Sequence, residues 1–276
     1  MDAIRVVVKR GAVVEAVHRV HAATTWGDTW GDPSLAFLLR SSVKPLQAIP
    51  FVEGYERLGD DEIAIACASH RAEPDQLDAV RKVLARAGAE IADLENGTQE
   101  GRPDGRLGHN CSGKHAGMLA ACRAHGWPLH PYRDPEHPLQ RRIHELVGGE
   151  QRGTDHCGLP TFAMPLLEMA RLLTRAPDRI ADAMRARPEL VGGSLDAVDT
   201  DLMRLGGGWI AKGGAEGLLC AAGHGIGVAL KAEDGNGRAL GPAAASFFER
   251  LGLSLDELSV LPVENSRKER VGEVRI

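Results

Sequence analysis

The chain has 276 residues, 43% hydrophobic and 26% charged, enough to bury a sizeable core as one large unit or two closely packed subdomains. A formal net charge of -5, with basic residues interspersed among acidic ones, leaves no broad cationic face and excludes nucleic acid as the expected partner. The apolar-leaning stretch from Gly217 to Leu230 is too short and too glycine-rich to cross a bilayer, and Met1-Asp-Ala-Ile-Arg opens no secretion signal, so no membrane association is expected.

In chain order, Ile4 to Val8 and Ala12 to Thr25 are valine-rich segments around a glycine turn and predict a β-hairpin. From Ser41 to Glu56 the pattern is helical, with Pro45 tolerated because it falls in the first turn. Ser41 then sits at a helix start and Lys44 follows on the same face, where the amine can hydrogen-bond the serine oxygen. A serine hydroxyl is inert near neutral pH until a base takes its proton, and serine acyl-enzymes can be built on this pair.

A helix predicted from Asp61 to about His70 ends in Cys67-Ala-Ser-His-Arg71. Ser69 there can relay protons, and His70 is suited to proton transfer or to binding a carboxylate. The competing reading is a helix C-terminus carrying cations that favour the macrodipole. Helices are also predicted over Pro74–Ala87, Ser112–His125, Pro138–Val147, Phe162–Arg175, Arg179–Arg187 and Leu195–Leu205. The run His109-Asn-Cys-Ser-Gly-Lys-His115 reads as a ligand loop or as a plain helix cap by Ser112. A metal site at Cys111 would draw on Asp155-His-Cys157, and two thiolates favour zinc.

After residue 207 the texture returns to strands, over Trp209 to Gly214, Gly217 to Ala222 and Ile226 to Ala232, with an Asp-Gly-Asn-Gly turn at 234–237. Lys212-Gly-Gly is a loose form of the Lys-Thr-Gly strand of penicillin-binding enzymes, and a second ammonium near Lys44 would depress the pKa of that base. A last helix, Pro242–Leu251, precedes Val271–Ile276, an edge strand expected to pair with the beginning of the chain. The expected fold is α/β, a mainly antiparallel sheet from roughly 1–40 and 207–276 with an inserted helical region over roughly 41–206. Five cysteines, an odd number, suit a reducing compartment, and the cytoplasm is the expected location.

Taken together, Arg40-Ser-Ser-Val-Lys-Pro-Leu-Gln47, Ala66-Cys-Ala-Ser-His70, His109-Asn-Cys-Ser-Gly-Lys-His-Ala-Gly-Met-Leu119, Asp134-Pro-Glu-His-Pro138, Asp155-His-Cys157 with Pro160-Thr-Phe-Ala163, and Lys212-Gly-Gly-Ala-Glu-Gly217 resemble the asparaginase II family, the rhizobial-type thermolabile L-asparaginases. The resemblance spans nearly the whole chain. It implies a penicillin-binding/class A β-lactamase-like fold, a homodimer, and hydrolysis of the side-chain amide of L-asparagine. Ser41 looks like the nucleophile, Lys44 its base, Lys212 the second lysine and Ser69 a relay. Cys111, Lys114 and Cys157 would be zinc ligands, a water completing the tetrahedron, with the metal orienting substrate rather than forming the nucleophile. A free amino acid also needs counter-charges. Arg40 or His70 would serve its carboxylate and Glu73 its ammonium, with Asn110, His115 and Asp155 as further contacts. Two other readings stay open: a β-lactamase or peptidoglycan peptidase on the same Ser-Lys core, and a non-catalytic zinc-binding protein in which Ser41 caps a helix.

Overall fold

The computed structural model describes residues 1–194 and 197–276. Eleven strands are described: β1 (Ile4–Arg10), β2 (Val13–Thr24), β3 (Thr29–Trp30), β4 (Ala36–Leu38), β5 (Glu150–Thr154), β6 (Pro160–Pro165), β7 (Ile210–Gly214), β8 (Leu218–Gly223), β9 (Ile226–Ala232), β10 (Val260–Glu264) and β11 (Arg270–Arg275). They form an eight-stranded antiparallel sheet in the order β10-β11-β1-β2-β9-β8-β7, with β3 beside β2, and a three-stranded sheet in the order β4-β6-β5. The fold is mixed α/β.

Alternation explains β1. Ile4, Val6 and Val8 face the core, and Gly11, at φ 58°, makes the left-handed turn into β2 that a side chain would resist. The C-terminal strand returns to this hairpin, Val8 opposite Val274 and Lys9 opposite Glu273. By contrast, β8 and β9 are buried almost throughout, as in strands covered on both faces. One cover is the helix Leu240–Glu249, whose Phe247 and Phe248 meet Trp30 and Trp209 edge-on, each at a centroid distance of 4.8 Å. On the helical side, Ala170 O lies so near Gly227 that a Cβ there would come within 1.9 Å, which is why a strand interior tolerates glycine at this point.

Several helices have the predicted limits: Pro74–Ala87, Ser112–His125 and Pro138–Val147. Two others differ. The Ser41–Glu56 stretch is three short pieces, a 3-10 turn over Arg40–Val43 and helices over Lys44–Gln47 and Ile49–Glu53, with Pro45 and Pro50 each in a first turn. The predicted Phe162–Arg175 helix is instead β6 followed by a short helix over Leu166–Ala170 and a 3-10 turn over Leu173–Arg175, because Pro165 biases Met164 to extended backbone. The stretch 41–206 therefore carries β5 and β6 as well as helices. The predicted helix start at Leu195 lies outside the described residues, and the helix there runs Val198–Leu205. No described helix is long and apolar enough to cross a membrane.

Candidate active site

The first catalytic candidate is presented by a strained turn. Arg40 has φ 48°, in the left-handed region that costs a non-glycine residue of order 1–3 kcal/mol and persists only where its surroundings hold it. Those surroundings are visible. Leu39 N–H donates to Phe162 O of β6 at 2.9 Å, and the Arg40 guanidinium donates to Asp155 Oδ1 at 2.6 Å. Strand β7 passes close above: a Cβ on Gly214 would lie 3.1 Å from Leu39 O. The adjoining serines divide the work. Ser42 is buried and donates its hydroxyl to Leu39 O at 2.7 Å, whereas the half-buried Ser41 hydroxyl bonds no described residue and is open to a substrate atom.

Lys44 is fully buried one turn on. Its amine donates to Ala68 O, to Ser69 Oγ at 3.1 Å and, more weakly, towards Asn110 O at 3.5 Å. The expected hydrogen bond to Ser41 is not the one made: the end of the Asp60–Ala66 helix places carbonyl and hydroxyl acceptors at the lysine instead. Burial lowers the Lys44 pKa to about 8, Lys114 and Lys212 pushing the same way and Cys111 and Cys157 opposing. Ser69 is itself anchored, its N–H donating to Val191 O at 2.8 Å.

Lys212, on the edge strand β7, is equally buried. Its ammonium is paired with Asp199 Oδ2 at 3.0 Å and donates to Gly213 O at 2.9 Å. Asp199 was not among the residues singled out from the sequence. One of two acids in the first turn of the Val198–Leu205 helix, it had no local signal separating it from Asp201.

A third group joins the start of the Ser112–His125 helix to the loop after β5. Cys111 and Cys157 are both buried, and Lys114 Nζ donates to Cys157 Sγ at 3.2 Å. The neighbouring Cys157 thiol and the Lys44 and Lys114 charges hold Cys111 well below the usual thiol range against its burial, while Cys157, beside it, is raised. Burial opposes the Lys114 charge, but the Cys157 and Cys111 sulfurs and Asp155 outweigh it and raise that amine. Asp155 itself is lowered despite its burial by Lys114 and Arg40, which joins this group to the serine turn. Among the described residues no cluster of three His, Cys, Asp or Glu side chains is placed to hold a metal. The donor set is two sulfurs and a lysine nitrogen.

Two predicted substrate contacts belong to the core instead. His70 accepts from Ala72 N–H at its Nδ1, 3.1 Å, and so donates from Nε2 to Ser112 Oγ at 2.8 Å. Burial lowers its pKa to about 3, so it is neutral and cannot pair with a carboxylate. His115 is fully buried, its Nδ1 2.8 Å from Tyr132 Oη, and burial also lowers its pKa well below the usual range. Asn110 faces Lys44 through its backbone carbonyl. Glu73 accepts from the Ser194 N–H and hydroxyl, both at 3.1 Å, and so ties the start of its helix to the 191–194 segment.

The model of a family described as L-asparaginase II matches residues 6–276. The chain belongs to the L-asparaginase II family. No curated protein matches. Among solved structures, Mglu in its L-glutamate binding form is similar at 16% identity over 86% of this asparaginase II family chain and 60% of that chain, with a TM-score of 0.34. Native Mglu is similar at 17% identity, 86% and 65% coverage and the same TM-score of 0.34. The chain thus spans less than two thirds of the length of these two, and likeness at that TM-score carries no argument about the site.

Proposed function

We propose that the protein is an L-asparaginase that hydrolyses the side-chain amide of L-asparagine to L-aspartate and ammonia through a Ser41 acyl-enzyme. The observation that carries this reading is the conjunction of an unbonded Ser41 hydroxyl on a strained turn with the buried Lys44 amine, already hydrogen-bonded to Ser69, one turn away. Neutral Lys44 takes the Ser41 proton as Oγ bonds to the amide carbon. The tetrahedral intermediate collapses, the C–N bond breaks, and ammonia leaves with a proton delivered from Lys44 by way of Ser69. Water then attacks the ester, giving up a proton to Lys44, and the Ser41 Oγ–carbon bond breaks to free aspartate while Lys44 returns that proton to Oγ, restoring the serine hydroxyl and the neutral amine. The Gly213 N–H cannot stabilise the oxyanion, since it donates to Asp199 Oδ2 at 2.9 Å. That duty falls to donors around Ser41.

The substrate α-carboxylate would meet Arg40 and its ammonium Asp155, charges that already flank Ser41 as an ion pair. Zinc fits the third group on its donor chemistry: Cys111 and Cys157 as thiolates and Lys114 as a neutral amine would hold it. When bound, the metal would supply a positive charge orienting the substrate. The scaffold reading is penicillin-binding/class A β-lactamase-like, supported by terminal strands sharing one sheet, an inserted helical body, and the Ser-Lys turn against the Lys212 strand. A cytoplasmic homodimer completes the proposal.

The test is ammonia release from L-asparagine by the purified protein, with L-glutamine and Ser41→Ala in parallel. Release abolished by the substitution supports the reading, and the glutamine trace sets specificity. No release from a folded, zinc-loaded sample overturns it and favours β-lactam or D-amino-acid peptide substrates.

A further inference from the structure

We infer that Asp199 is a positioning residue of this site, holding Lys212 as a stationary ammonium so that proton uptake falls to Lys44; the inference rests on the Ser41–Lys44 reading above. Three donors converge on the carboxylate: Lys212 Nζ at 3.0 Å and Gly213 N–H at 2.9 Å on Oδ2, and Thr200 N–H at 3.1 Å on Oδ1. Each favours its ionised form, and although burial acts the other way the carboxyl stays below its ordinary value. Lys212 spends one N–H on Asp199 and one on Gly213 O, which together fix the direction of its amine.

The carboxylate sits in a fitted seat. A Cβ on Gly192 would lie 2.4 Å from Asp199 Oδ1 and 2.7 Å from Thr200 Oγ1, so only glycine leaves room. The preceding residue, Val191, accepts the Ser69 N–H, and one short segment therefore fixes both Ser69 and the carboxylate behind Lys212.

Lys44 is faced by Cys111, Cys157, Lys114 and Lys212; Lys212 is faced by Asp199, Lys44 and the thiols of Cys67 and Cys220. With Asp199 neutralised, Lys212 becomes a buried cation without a counter-charge and relaxes by releasing its proton. It then stops opposing protonation of Lys44 and competes with it as a base. The expected result is a loss of kcat, with the acid limb of the rate profile moving to higher pH.

The experiment compares Asp199→Asn, Asp199→Glu, Lys212→Met, the Asp199→Asn/Lys212→Met double variant and Gly192→Ala in asparagine hydrolysis across pH, each checked by circular dichroism. Asp199→Asn should lose about tenfold or more in kcat with little change in KM, and Asp199→Glu should recover part of it. Adding Asp199→Asn to Lys212→Met should cost nothing further. Wild-type kcat and pH limb in Asp199→Asn, or losses that multiply in the double variant, overturn the inference. Should Asp199→Asn not fold, Gly192→Ala keeps every charge and crowds the carboxylate together with Thr200 Oγ1 and Ala197; unchanged kcat there overturns the inference as well. Nitrogen NMR of Lys212 needs no turnover: under identical conditions its ammonium signal should be present in the unmodified protein and lost in Asp199→Asn, and persistence in both refutes the role. Activity surviving in Ser41→Ala would remove the underlying reading instead, a failure distinct from these.

Discussion

Deprotonation of Lys44 should set the acid limb of the pH–rate profile. Burial disfavours the ammonium and Lys114 and Lys212 repel it, so the amine titrates at about 8 rather than 10.5. A general base works only when neutral, so about one hundredth of the enzyme is competent at pH 6, about a tenth at pH 7 and about nine tenths at pH 9. The assay is kcat/KM for ammonia release, which should climb about tenfold per pH unit and level off above about 8. Lys44→Arg should be inactive throughout, because a guanidinium keeps its proton. The same shift makes a stability prediction. Folding depresses this pKa, so the unfolded chain binds more protons between about 8 and 10.5, and stability relative to Lys44→Met must rise with pH across that window. The depression of 10.5 minus 8 corresponds to about 3 kcal/mol, measurable by denaturant unfolding of both proteins at the two limits. A rate profile flat from pH 6 to 9, or a limb near 10.5, would refute the claim that burial and neighbouring cations make Lys44 the base.

Ser41→Ala should cost on the order of 10³-fold or more in kcat with the fold intact, while Ser42→Ala, which removes a hydroxyl already bonded to Leu39 O, should retain most activity; steady-state kinetics of both decide. Asp155→Asn should raise KM for L-asparagine by about 10- to 100-fold, the worth of one charge-assisted bond, and an unchanged KM would remove Asp155 from the substrate site. Cys157→Ser should lower zinc content measured by elemental analysis after metal loading and dialysis, and full retention would dismiss the two-sulfur, one-amine donor set. Gly113→Ala, ordinarily favourable in a helix, should destabilise by about 1–3 kcal/mol because its Cβ would lie 2.2 Å from Ile65 O; a rise in Tm would contradict that packing.

Local chemistry was readable in the chain, and contacts across it much less so. The limits of Pro74–Ala87 and Ser112–His125 follow from the glutamate–proline start of the first and the left-handed glycines Gly88 and Gly126 that end both, signals within a few residues. The β6 strand was misread because Phe162 to Arg175 is rich in Leu, Met and Ala, although Pro165 carried the contrary signal. Ser41 and Lys44 stood out because a nucleophile and its base can share one helical turn. Their real partners could not: Lys44 reaches Ser69 across 25 positions and Arg40 reaches Asp155 across 115, separations at which neither residue type nor spacing distinguishes one acid or hydroxyl from another.

His70 and Asp199 show the same limit from opposite sides. A histidine beside a serine reads as chemistry, yet His70 has both ring nitrogens engaged with Ala72 and Ser112, and burial leaves it uncharged. An aspartate in the first turn of a helix reads as a surface companion to the macrodipole, yet Asp199 lies under the edge strand because the helix after Gly193 packs against β7. What separates the two is the fate of charge on burial. Histidine can shed its proton and be satisfied by neutral donors and acceptors, so burying it costs little. An aspartate brought against a buried lysine stays ionised and fixes that lysine in turn. A buried acid–base pair on an edge strand therefore marks a site more reliably than a buried histidine does, and under the proposed mechanism it is the pairing of Lys212 with Asp199 that leaves Lys44 to work as the base.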